Sequence, residues 1–151
     1  MIGVLFATPL LLTSLASQCA APEPPSEPTP ALRSVYAQEY LVKRLGLWQQ
    51  RLGLQDWKIT LIPSHRSELR PRTLGNIHWD SDARTAKIRI LDASEYRTEY
   101  NATLKDMEFT LVHELIHLEL SGLPRTDASH RDEENAADQM AGALLRLDRP
   151  Q

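Results

Sequence analysis

With 151 residues, 42% hydrophobic and 25% charged, the chain has the make-up of one globular domain with a short appendage. A formal net charge of −3 without any basic block leaves no electrostatic footprint for nucleic acid. The single cysteine, Cys19, excludes an internal disulfide framework and a cysteine-rich zinc site, so a metal here has to be held by nitrogen and oxygen.

Residues 1–21, MIGVLFATPLLLTSLASQCAA, carry no charged side chain and read as an export segment. Residues 22–30, PEPPSEPTP, read as a proline-rich linker. The run Leu15 to Cys19 resembles a bacterial lipobox, with Gln18 where that pattern carries a small residue, and the resemblance implies lipid on Cys19. The expectation is an exported protein, periplasmic or attached to a membrane through this segment; a start codon assigned too early would make it cytoplasmic instead. The domain proper occupies residues 31–151.

In ALRSVYAQEYLVKRLGLWQQRLGL, residues Leu32, Val35, Leu41, Val42, Leu45, Trp48 and Leu52 recur mostly at helical intervals and predict a helix that stops at Gly53. Alternation of Trp57, Ile59 and Leu61 predicts a strand ended by Pro63. Thr73 to Trp79 reads as a second strand, and the turn Asp80-Ser81-Asp82 leads to a third, where Ala86, Ile88 and Ile90 alternate with Lys87 and Arg89. Thr103, with Asp106 three residues on, predicts a capping-box-like start to a helix striped by Leu104, Met107, Leu111, Leu115 and Leu118, with its exit at Gly122 and Pro124. A last helix, from about Ser129 to Leu147, buries Ala137, Met140, Ala141, Leu144 and Leu145. The order predicts an α+β domain with a small, mostly antiparallel three-stranded sheet.

The chemistry concentrates in VHELIHLEL, Val112 to Leu120. Positions four apart on a helix lie one turn above each other, so His113 and His117 present two imidazoles to one point. Zinc takes nitrogen ligands at ~2.0–2.1 Å in tetrahedral array, and a catalytic zinc keeps one position open. Glu114 stands beside that point, placed to act as general base. A third ligand is offered by the last helix, where Glu134 and Asp138 share a face with Ala141 and Leu145. Glu134 is expected to ligate and Asp138 to hold the free ring N–H of His113. Glu133 is the rival ligand, but Ala137, four residues on, cannot fill the second role.

HELIH followed by a helix bearing Glu-x-x-x-Asp resembles the gluzincin branch of zinc metallopeptidases, and EENAADQMAGALL is similar to the ligand-bearing helix of its minimal members and of ImmA/IrrE-type domains. The specific match covers Glu108 to Leu145. The resemblance implies a zincin-like fold, a Zn²⁺ cofactor and hydrolysis of peptide bonds. It also implies a peptide or protein substrate bound in extended form along a sheet edge, for which Lys87 to Leu91 is the expected strand. Tyr96, Tyr100 and His130 are candidate donors to the transition state, and the domain is expected to be monomeric. Two alternatives stay open. One is a zinc-binding sensor or adaptor that binds a protein partner without efficient turnover. The other is a closed structural zinc with His130 as fourth ligand.

Overall fold

The computed structural model describes residues 27–123 and 127–148, with side chains in the last helix from residue 131 onward. The export segment, Cys19, most of the linker, Pro124 and the His130 side chain lie outside the described residues. The elements are α1 (Pro30–Arg51), β1 (Lys58–Ser64), β2 (Gly75–Asp80), β3 (Thr85–Leu91), α2 (Tyr100–Glu119) and α3 (Asp127–Asp148), an α+β arrangement of three helices and one three-stranded sheet. Among the described residues, no helix is long and apolar enough to cross a membrane.

α1 buries Ala37, Leu41, Leu45 and Trp48, the residues of a single helical face. Leu32, Val35 and Val42, expected in the stripe, are exposed instead, since none of the described elements covers that side. The helix ends at Arg51, and Gly53 follows with φ 70°, the left-handed conformation that glycine adopts without a Cβ clash.

The sheet is mixed rather than mostly antiparallel. β2 and β3 form the expected hairpin, with Ile77 opposite Ile88, and Asp80 Oδ1 accepts from the backbone N–H groups of Asp82 and Ala83 in its turn. β1, however, runs parallel to β3, and the strand order is β1-β3-β2. Residues 65–74 carry the chain past the place of β3, so β3 inserts between its predecessors. Pro63 does not end β1 but sits within it, opposite Ile90. An edge strand tolerates a residue without an N–H.

α2 is the central element. It packs on α1, α3 and the sheet, and Met107, Leu111, Val112, Leu115, Ile116 and Leu118 are all buried. A helix enclosed on several sides is apolar nearly all round, which is why its stripe is broader than the one read from the sequence. It begins at Tyr100, whose N–H is met by the Glu27 carboxylate, so Thr103 is not its cap. Thr103 lies inside the first turns, where its buried hydroxyl donates to the Glu99 carbonyl and accepts from Arg33. α3 buries Ala137, Ala141 and Leu145 against α2, while Met140 stays exposed. Trp48 and Trp57 belong to the core.

Candidate metal centre

After α2 a short 3₁₀ turn, Leu120–Gly122, follows, and the chain returns as α3, which packs against α2. This brings three side chains together. Nε2 of His113 and Nε2 of His117 are 3.0 Å apart, and each is 3.4 Å from a carboxylate oxygen of Glu134. Ligands on a tetrahedral zinc at ~2.0–2.1 Å stand about 3.3–3.4 Å from one another, so the two distances to Glu134 match a coordination edge and the His–His distance is slightly short. His113, His117 and Glu134 thus form a group able to hold a metal ion.

The outer contacts decide which ring atoms face inward. Nδ1 of His113 is 2.9 Å from Asp138 Oδ1, and Nδ1 of His117 is 2.8 Å from Glu133 Oε1. An ionised carboxylate only accepts, so in the tautomer with its N–H on Nδ1 each ring turns an Nε2 lone pair toward the other ring and Glu134. In that tautomer two lone pairs and a carboxylate converge on one point, which makes a site for a cation. The donor set, two imidazoles and one carboxylate, suits zinc and leaves a position free.

Glu114 is buried beside this group, and burial, with the negative charge of Glu134, pushes its carboxyl up to about 8. β2 lies directly against it. A Cβ built on Gly75 would stand 2.5 Å from Thr110 Cγ2, 2.9 Å from the Arg89 carbonyl oxygen and 3.2 Å from Glu114 Oε1. Only glycine lets the strand approach the helix this closely.

The site opens into a cleft of about 680 Å³ between β2 with its preceding segment, the Phe109–His117 face of α2, and Glu133, Glu134 and Asp138 of α3. The side chain of Glu134 is 46% exposed, so the ligand group faces the cleft rather than a sealed interior. Asn76 also lines the cleft, and its Oδ1 is buried without a hydrogen-bond partner.

Sequence reasoning placed some residues here and missed others. His113, His117, Glu114, Glu134 and Asp138 meet as the helical spacing requires. Glu133 is not at the ligand position but on the outer nitrogen of His117, one helical step from Glu134. Gly75 and Asn76 were overlooked, although glycine and asparagine inside a strand are unusual enough to be a signal. Trp79 is half-buried, packs against the core and also lines the cleft.

Tyr96 and Tyr100 are not brought to the cleft. Tyr100 opens α2, about 20 Å of helix rise before His113, and its ring lies under Arg33. Tyr96 precedes it, with its hydroxyl buried and, from burial, a raised pKa. The Lys87–Leu91 segment belongs to β3, the middle strand, hydrogen-bonded on both sides, and has no edge to offer. The edge beside the site is β2.

Comparison with protein-family models, with curated proteins and with solved structures finds no match to this chain.

Proposed function

We propose that the domain is a zinc-dependent peptidase whose centre is His113, His117 and Glu134 with Glu114 as general base, as its likeness to gluzincins in HELIH and the Glu-x-x-x-Asp helix suggests. One observation carries this reading: a group of two imidazoles and a carboxylate faces an open cleft and has at its side a buried carboxyl group that no cationic side chain offsets among the described residues. A metal staple between helices has no use for Glu114. A hydrolase does.

Zinc bound there supplies Lewis acidity, polarising a carbonyl and lowering the pKa of a water toward ~7. Glu114 receives the proton of the attacking water and passes it to the departing amine. Its raised pKa reflects a poorly solvated carboxylate, and a neighbouring dication would draw it back into a range where both transfers are feasible. Glu133 and Asp138 hold the two rings in the tautomer that ligates. The exposed edge of β2 offers backbone groups to an extended chain, and Asn76 an unpaired side-chain oxygen to a substrate N–H.

The test is metal analysis of the purified protein with a peptide-library digest of wild type and Glu114→Gln. One zinc per chain in both, with cleavage by wild type alone, is the expected result. Cleavage that survives the substitution removes Glu114 from its role. Zinc without cleavage in either protein favours a binding module over an enzyme.

A further inference from the structure

Just upstream of β2, Arg70-Pro71-Arg72-Thr73 forms a turn in which the Thr73 N–H donates to the Arg70 carbonyl at 3.2 Å. Proline at the second position and a φ of 68° at Arg72 are the marks of a type II turn, whose third position is ordinarily glycine or asparagine. Arginine therefore stands where a side chain is disfavoured. The turn is held: Arg66 donates to the Thr73 carbonyl at 2.9 Å, and Leu69 is buried beneath it.

A second arginine in the left-handed region, Arg84 at φ 51°, has local reasons to be there. It pairs with Asp56 at 2.9 Å and lies over the Trp57 ring. Arg72 has no such partner, and neither has Arg70: among the described residues no ion pair or hydrogen bond engages either guanidinium. Both line the cleft. Its remaining charged lining, Glu114, Glu133, Glu134 and Asp138, belongs to the metal centre and is acidic. The cleft thus has one cationic end, strained into place and left unneutralised.

The direction is that of a chain added antiparallel to β2, the sense in which β3 already pairs with it on the other side. Gly75, the first residue of β2, abuts Glu114, so residues 70–74 lie on one side of the reacting position and Asn76 to Trp79 on the other. A chain added antiparallel to β2 runs its N-terminal part along Asn76–Trp79 and its C-terminal part past Gly75 toward the turn. We infer that Arg70 and Arg72 select peptides carrying a carboxylate on the C-terminal side of the scissile bond, an inference that rests on the peptidase reading above. An acidic side chain and a free chain terminus supply the same group, and a guanidinium pair binds either in forked geometry.

Internally quenched peptides that differ only in Glu, Gln or Lys at positions C-terminal to the cleaved bond, each made as free acid and as amide, separate the two sources. Wild type is expected to cleave the Glu peptides with kcat/KM about fivefold above Gln, the size of effect that partly exposed charge pairs give. If the chain terminus is what is read, the acid-over-amide ratio carries the preference instead. Arg70→Glu with Arg72→Asp is expected to invert it toward Lys. Arg70→Gln with Arg72→Asn, which suits the left-handed position, brings the ratio near one. Equal cleavage of all peptides by wild type, or a preference unmoved by both double variants, overturns the inference. Anisotropy of the same peptides, fluorescently labelled, on zinc-loaded Glu114→Gln keeps the two readings apart. A carboxylate preference in binding without any cleavage by wild type upholds the arginines and sinks the peptidase, whereas absence of that preference in both assays sinks the arginines.

Discussion

Glu108 and Glu114 sit on the same helix, less than two turns apart, and both are buried. Burial alone would raise either carboxyl. Around Glu108 the fold supplies three donors: Tyr40, Arg44 and Trp48, the last at 2.9 Å. These hydrogen bonds outweigh burial and hold Glu108 below the usual carboxylate range. Around Glu114 there is no cation among the described side chains, and the neighbouring charge is the negative Glu134, so the carboxyl rises to about 8. The same residue type in the same helix is structural where it is satisfied and chemically available where it is not. Arg44 makes the first case larger than one pair, because it also reaches Asp148 at the end of α3 and so ties the ligand-bearing helix to the other two.

Exchanging both glutamates for glutamine breaks the comparison most directly. Glu108→Gln is expected to cost about 3 kcal/mol of stability, the scale of breaking a buried ion pair, read by urea denaturation. Glu114→Gln is expected to keep the zinc-loaded fold and lower kcat about 10²- to 10⁴-fold. The reverse pattern, with Glu114 stabilising and Glu108 silent, would end the distinction.

pH sharpens it in the metal-free protein. Glu114 is raised from 4.5 to about 8, so between those values the native state holds a proton that the unfolded state has lost, and stability falls as pH rises. At 1.36 kcal/mol per unit this amounts to a few kcal/mol, roughly, and Glu114→Gln should flatten the profile. Glu108 works with the opposite sign. Its depressed pKa gives stability that is present above 4.5 and lost as pH falls through the folded value. Denaturation midpoints of chelator-treated protein from pH 4 to 9 check both limbs.

The Gly75 position tests how tightly β2 is pressed on Glu114. Gly75→Ala puts a methyl 2.5 Å from Thr110 Cγ2 and 2.9 Å from a backbone oxygen that cannot move aside, at an expected cost of about 1–3 kcal/mol in thermal or urea unfolding. The smallest effects belong to the carboxylates behind the imidazoles. Glu133→Ala and Asp138→Ala are expected to weaken zinc about 10- to 100-fold in competition with a chromophoric chelator. Glu133 should matter more, since its side chain is 13% exposed and that of Asp138 61%.

The sequence alone determined what depends on spacing along one helix. His113 and His117 had to share a face, as did Glu134 and Asp138, because the α-helix repeats every 3.6 residues whatever surrounds it. The alternating segments had to be strands for the same local reason. Which strand took the sheet edge was decided by the tertiary structure, because alternation marks the face of a strand and not its neighbours. Tertiary packing also set Glu133 on His117, enclosed Glu108 among donors drawn from α1, and pressed Gly75 against Glu114. Each of these contacts joins residues from different elements, and no periodicity in a single segment encodes where another segment will lie.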